Sequence, residues 1–553
     1  MFNIYYKKND NSALFKLFEE NDLVKIQNYI PIYERFFELN ETNYKNINLN
    51  QYYNIKDIRP TDNQNKFECT IQANTQKIKT NTFFKYSPLI DPIKFMIGKF
   101  KDVDDEHITT LPKLTNNNCD PKVLDPNNSA YVDSFFTYLT SNILHTHRFI
   151  HGVDFYGSFL GIHKKYTIDI LDDIEYLNES KFFRENKNVL FNINVDEQLL
   201  FDDTFTRNYR KKLNVDSNTT LNIPELLTND LFKGVFDNNN IDGSDNIVLK
   251  YSTNITSSNN STQSSKCSSR SSHSNNSDDE DDEGDEDDDG SDTNSSEYSL
   301  NSDVECTATI KNFPVQIICL EAMDNTMDSL LSADIPACEW SSCLFQVLMI
   351  LITYQKMFDF THNDLHTNNI MYNKTDIKNI TYKYKNSYYK VPTYGRLFKI
   401  IDFGRAIYKY KNKVICSDSF KENGDAATQY NIEPFYNKKK PIIEPNKSFD
   451  LCRLGCSLYD HFYDKWGDKF KTHALPKLIN KWCTDDKGRN ILYKKCGEER
   501  YPEFKLYKMI ARTVHDQEPA SYIDYELFSE FKSSKKKLGK RKPINIDELP
   551  VYS

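Results

Sequence analysis

The sequence predicts an α+β protein, strand-rich in its first part and helical in its second, carrying a long polar insertion. Three observations lead there. Short runs of β-type residues recur at 82–89, 153–162 and 315–320. Two longer stretches, 129–144 and 339–357, have few polar interruptions and the length of core helices. Residues 252–303 are almost free of large apolar side chains, so they cannot bury enough surface to offset the entropy of ordering them. Aromatic-rich, periodic sequence on both sides makes that segment a disordered insertion and not a tail.

Composition narrows the class. The 553 residues allow two to four domains at roughly 100–200 residues each. With 36 Phe, 35 Tyr and 3 Trp, a wholly disordered polymer is excluded. The net charge of −10 is local, because the run from Asp278 to Asp289 alone carries eleven negative charges. The remainder is close to neutral, which argues against a nucleic-acid-binding domain. Twelve scattered cysteines show no CxxC spacing, and a reduced, intracellular chain is the simplest account. No secretory signal opens the sequence. Its longest apolar stretch, Leu344 to Tyr354, is too short to cross a bilayer. A soluble protein without a transmembrane segment is expected.

Taken in order, Thr82 to Leu89 reads as a strand with Lys85 embedded in it. The helix 129–144 follows the start signal Asp125-Pro126-Asn127 and carries Asp133 on an otherwise apolar sequence. The strand 153–162 comes next, and part of the insertion behind it, KKYTIDILDDIEYLNESKFF, looks folded. Val315 to Leu320 is a buried-type strand ending at Glu321. The core helix 339–357 leads into the loop FTHNDLHTNNIMY. Residues 376–395, rich in Tyr and Lys and ending in a turn signal, form a hairpin excursion. RLFKIIDFGRAIY is a second strand and loop, and 448–459 has helical periodicity behind Pro445, Asn446 and Ser448. The basic stretch 531–542 reads as a solvated tail, with nuclear import or membrane-surface binding as the less favoured alternative.

Phosphoryl transfer requires a group to orient the attacking hydroxyl, oxygen ligands for Mg2+ and a cation on the non-transferred phosphates. The loop His362-Asn363-Asp364-Leu365-His366-Thr367-Asn368-Asn369 offers a carboxylate and, five residues on, an amide oxygen. Asp402, opening Asp402-Phe403-Gly404 after an apolar run, offers a second carboxylate. Such oxygens suit Mg2+, which takes only one or two protein carboxylates. Here the sequence resembles the protein-kinase family, whose H-R-D-L-x-x-x-N loop appears as HNDLHTNN and whose D-F-G is intact. The resemblance implies a two-lobed fold, with Asp364 as catalytic base and Asn369 and Asp402 as metal ligands. It also implies that Glu321 lies beside the adenine of ATP and that Asp450 braces the loop backbone, with His362 a packed structural residue. Asp425 and Thr428 fall in what would be the activation segment.

Two departures bear on the substrate. The loop Arg of the family, which often pairs with a phosphorylated activation segment, is Asn363, so no such switch is expected. His366 stands where many Ser/Thr kinases have Lys. No glycine precedes Gly98, so no Gly-rich loop can precede Lys85. Lys85 and Asp133 are nevertheless the favoured lysine–acid ion pair. A competing register takes Gly152, Gly157 and Gly161 as a degenerate phosphate loop, Lys164 or Lys165 as the cation and Glu175 as the acid.

On the favoured register, residues 1–60 are an N-terminal extension, 61–162 and 313–330 the smaller lobe and hinge, 163–312 an insertion, 331–530 the larger lobe and 531–553 a basic tail. The expected function is an ATP- and Mg2+-dependent protein kinase acting on Ser or Thr hydroxyls. A pseudokinase-type binding scaffold and a small-molecule phosphotransferase are the alternatives. The expected partners are a nucleotide and a protein substrate. Ser277, directly before Asp278-Asp279-Glu280, fits an acid-directed kinase, although a solvated serine is the plainer reading. The Asn-, Lys-, Tyr- and Ile-rich layout is similar to kinase-like proteins of large DNA viruses, which implies a cytoplasmic or virion-associated chain.

Overall fold

In KFECTIQA, Lys66–Ala73, every second side chain is buried, the period-two pattern of a strand with one face on a core. The computed structural model describes residues 2–115, 118–194, 306–538 and 542–553, and it is a mixed α+β fold. The acidic segment 252–303, with Ser277, lies outside the described residues.

Seven strands form one antiparallel sheet: β1 (Leu23–Gln27), β2 (Asn54–Pro60), β3 (Lys66–Ala73), β4 (Gln76–Pro88), β5 (Phe155–Asp169), β6 (Phe191–Asn194) and β7 (Thr307–Glu321). Their order is β1-β5-β7-β4-β3-β2, with β6 also paired to β7. The β5–β7 ladder runs from Phe155 opposite Leu320 to Asp169 opposite Thr307. Both strands therefore extend beyond the apolar runs that reveal them, because their outer ends alternate with exposed polar residues. The expected insertion boundary at 163–312 moves inward accordingly.

Residues 1–60 are not an appendage. Their strands β1 and β2 belong to the sheet, and Phe18, from the helix Ser12–Glu19, packs within 5.6 Å of Phe84 and 5.5 Å of Phe159 between ring centres.

Against the sheet lies helix α1 (Ser129–His147), capped by Asn128, whose side chain accepts from the Ala130 N–H. The second part is built on α2 (Ala337–Phe358), α3 (Phe449–Trp466), α4 (Ala474–Trp482) and α5 (Phe504–Thr513). Gly455 lets α3 and α4 approach, since a Cβ there would meet Trp482 Cβ at 2.9 Å and Cys483 Sγ at 3.0 Å. Strands β8 (Ile370–Lys374) and β11 (Arg396–Ile400) pair after the loop that follows α2. Between them the hairpin β9 (Asn379–Tyr384) and β10 (Ser387–Pro392) forms as the turn signal predicts.

The tail departs from expectation. Lys532–Ser533 pairs with β10 and Ile544–Asn545 pairs with β9, while the Phe2 N–H donates to the buried Tyr552 hydroxyl at 2.7 Å. Its lysines at 535–537 are exposed, but Ile546, Leu549 and Tyr552, further along it, are buried. Helix α2 is the one described helix long and apolar enough to cross a membrane, and 83% of its most apolar window is buried inside the protein.

Candidate active site

Helix α2 ends where Asp359 turns left-handed at φ 48°, and the loop behind it is held chiefly by main-chain bonds. Thr361 and Ile407 exchange both N–H···O bonds, at 2.9 and 3.0 Å. Asp450, fully buried on α3, accepts the His362 N–H at 2.9 Å and the Asn363 N–H at 2.9 Å. Burial pushes its carboxyl up, and those N–H groups oppose the shift. The His362 Nε2 lies 2.9 Å from the Ile401 carbonyl, pinning the ring between the loop and the end of β11.

Asn363 adopts φ 64°, a left-handed conformation that asparagine tolerates better than most residues. Its amide donates to the Arg405 carbonyl at 3.0 Å and accepts from the Tyr430 hydroxyl at 2.8 Å. The position that carries Arg in the resembling family is thus a neutral clamp between the loop and the following segment.

The same loop brings the predicted residues together. Asn369 donates through Nδ2 to the Asp364 carbonyl at 2.9 Å, and its own carbonyl accepts the Ile401 N–H at 3.0 Å. That second bond sets Asn369 beside the residue preceding Asp402. The Lys85 ammonium, on β4 opposite Ile318, lies 2.7 Å from Asp133 Oδ2 and 2.8 Å from Asp402 Oδ1. Asp133 also accepts the Phe403 N–H at 2.8 Å, and Phe403 packs 4.7 Å from Phe136 of α1. One lysine, one helix acid and the Asp402-Phe403 turn therefore form a closed unit.

Its electrostatics are uneven. Asp133 is 4% exposed in its side chain, Lys85 19% and Asp402 32%. Burial tends to lower the Lys85 pKa, yet the two carboxylates outweigh it and the ammonium is held charged. Burial pushes Asp133 up, and Lys85 opposes this incompletely. Asp402 has the same two influences with the opposite balance, so its carboxyl is held below the usual range. The carboxylate best held in its ionised form is also the one most open to solvent.

Other predicted residues fall elsewhere. Glu321 accepts the Asp154 N–H at 2.8 Å, pairs with Lys399 and accepts from Asn373 Nδ2 at 2.9 Å. Its side chain is a brace between β7, β8 and β11, which leaves only main chain to meet a bound base beside it. Gly157 and Gly161 lie within the β5 ladder and not in a loop. A Cβ on Gly152 would sit 2.3 Å from the Thr140 carbonyl, so that glycine serves helix packing. Lys164 is exposed and Lys165, 72% exposed in its side chain, lies 3.7 Å from Asp22. Glu175 sits on the short helix Ile174–Glu179. The competing register therefore provides no phosphate loop. Asp425 lies 3.9 Å from Lys94, and the Thr428 carbonyl accepts from Arg512 at 3.2 Å.

Sequence reasoning missed three residues. Arg405, directly after the D-F-G turn, places Nη1 3.7 Å from Asp364 Oδ2. The Tyr507 hydroxyl donates to Asp364 Oδ1 at 2.8 Å and accepts from Arg453 Nε at 2.9 Å. Adjacency to D-F-G could have flagged Arg405, whereas nothing local marks Tyr507, 143 positions from Asp364.

Among the described residues no group of three or more His, Cys, Asp or Glu is arranged to hold a metal. That suits a zinc site poorly, but Mg2+ on a nucleotide takes one or two protein carboxylates and fills its shell with water and phosphate oxygens. Asp402, ionised and partly open, and the Asn369 amide oxygen, whose Nδ2 is already engaged, have the right chemistry for that role. No protein-family model matches the chain, and no curated protein matches it.

Proposed function

We propose that the chain is an ATP-dependent protein kinase of two-lobed, kinase-like fold, acting on Ser or Thr hydroxyls. The observation that carries the reading is the Lys85 ammonium lying within hydrogen-bond distance of both Asp133 and Asp402. Supporting it, Asp364 and Asn369 share a hydrogen bond in the neighbouring loop. In this reading ATP supplies the transferred γ-phosphoryl group, and Asp402 and Asn369 would hold a Mg2+ ion, which would supply neutralisation of phosphate charge. Lys85 is the cation for the non-transferred phosphates. Asp364 takes the acceptor's proton as the acceptor oxygen bonds to phosphorus and the bond from γ-phosphorus to the bridging oxygen breaks, leaving ADP.

The test is Asp402→Ala, assayed for ADP production and for Mg2+-dependent nucleotide binding. Turnover should fall by on the order of 1,000-fold, the scale on which electrostatic contributions to phosphoryl transfer act. Unchanged turnover would remove the catalytic reading. The turns joining β2 to β3 and β3 to β4 contain no glycine, which favours a binding scaffold as second reading. Tight Mg2+·ATP binding with no turnover in the unmodified chain would select it.

A further inference from the structure

Asp364 is oriented by more than its own loop. Main-chain bonds from His362 and Asn363 to Asp450, and from Asn369 to the Asp364 carbonyl, fix the backbone. They leave χ1 and χ2 of Asp364 to other partners. The Tyr507 hydroxyl meets Oδ1 at 2.8 Å, and both residues are buried, at 2% and 8% exposure. The phenol is itself oriented. Its oxygen accepts from Arg453 Nε at 2.9 Å, so its single proton is directed to the carboxylate. The Arg453 guanidinium lies 5.0 Å from the centre of the Tyr507 ring and that of Arg405 lies 5.7 Å away. Phe504 stacks on the ring's other neighbourhood at 5.4 Å and 18°.

The electrostatic setting makes this arrangement consequential. Positive charge reaches Asp364 from Arg405, 3.7 Å away, and from Arg453 through the phenol.

We infer that Tyr507, anchored by Arg453, is a positioning residue that holds the Asp364 carboxylate in the orientation needed to receive the acceptor's proton. The inference rests on the kinase reading above. Misplacement of a base by about 1 Å is costly in rate. Helix α5, far along the chain, thereby completes the site that the loop begins.

The test uses the full chain with Mg2+·ATP and a serine-containing protein acceptor. Tyr507→Phe keeps the ring and removes only the hydroxyl. It should lower kcat by on the order of 10–100-fold with the KM for ATP unchanged. Arg453→Gln should act in the same direction, Arg453→Lys should retain more activity than Arg453→Gln, and the Tyr507→Phe/Arg453→Gln pair should be strongly non-additive. An unaltered kcat in Tyr507→Phe overturns the inference while leaving the kinase reading in place. A rise in kcat also overturns it, since the hydroxyl would then be occupying the acceptor's place. An unmodified chain without turnover removes the kinase reading and the inference with it.

Discussion

Two lysines on strands of different sheets make opposite use of the same chemistry. Lys85 on β4 has two carboxylates within 2.8 Å, one of them 32% exposed. Lys399 on β11 is 5% exposed, pairs with the single carboxylate of Glu321 and donates to the Gly152 carbonyl at 2.8 Å. Lys85 is outnumbered by negative charge at a site whose Asp402 is partly open to solvent. Lys399 is matched one to one, and the remaining Glu321 oxygen is filled by Asn373. An ion pair with surplus, solvent-reachable charge can take a further ligand at modest desolvation cost, whereas a matched and buried pair can only be broken. The surplus, more than the burial, separates a candidate site from a brace.

The sharpest way to break this contrast is to remove each ammonium in turn. On the proposed kinase reading Lys85→Met should cut ADP production by on the order of 1,000-fold, because Lys85 would be the cation on the non-transferred phosphates. Asp402 can be solvated and Asp133 keeps the Phe403 N–H, but Asp133 is left buried without its cation, so stability should fall too and ADP production is compared for the folded protein. If Lys85→Met unfolds the chain while Lys399→Met does not, the two roles have been assigned the wrong way round.

Lys399→Met is the complement. It leaves Glu321 as an uncompensated carboxylate among Asp154, Gly152 and Asn373, and breaking a buried pair from one side costs about 3 kcal/mol or more. Urea unfolding should show that loss as a lower midpoint with an unchanged slope. Nucleotide affinity should be unchanged when measured at a urea-free temperature where the variant is folded. A large loss of Mg2+·ATP binding in the folded variant would return Glu321 to the nucleotide site.

The same contrast explains what the sequence revealed. Lys85, Asp133, Asp364, Asn369 and Asp402 were legible because each lies inside a local pattern: a strand, a capped helix, a loop of fixed spacing, a D-F-G turn. What they contact across the chain follows from those patterns. Glu321 was legible as a strand end, but its partner Lys399 is 78 positions away and nothing local announces a brace. Tyr507 was hidden for the same reason. Strand β1, Leu-Val-Lys-Ile-Gln, is too short and too mixed to signal a strand, so residues 1–60 read as an extension although β5 holds β1 in the sheet. The tail reads as solvated because its lysine run dominates the local composition, while Ile546, Leu549 and Tyr552 lie beyond that run in a short stretch.

The brace region should also be acid-sensitive, through His151. This histidine is fully buried, with Nδ1 2.7 Å from the Phe398 carbonyl and Nε2 2.7 Å from the Tyr382 hydroxyl. The carbonyl can only accept, so Nδ1 carries the proton and Nε2 accepts from the phenol of Tyr382. A second proton on Nε2 would place a charge in a site without water, beside the Lys399 ammonium. Burial, and secondarily Lys399, lowers its pKa to about 4 against an ordinary 6.5. The sign follows: His151 is neutral in both states above pH 6.5, and between 6.5 and 4 only the unfolded chain binds the proton. Stability is therefore fully present above pH 6.5 and is lost as pH falls through that window, amounting to about 2 kcal/mol by pH 5. His163 and His366 carry depressed values of about 4 as well, so the chain as a whole will lose more than this. His151→Gln isolates one contribution. Its unfolding free energy should start lower at pH 7.5 but fall less steeply toward pH 5, by about 2 kcal/mol over the interval. Parallel curves for the two proteins would show that His151 is not buried as a neutral ring between Phe398 and Tyr382.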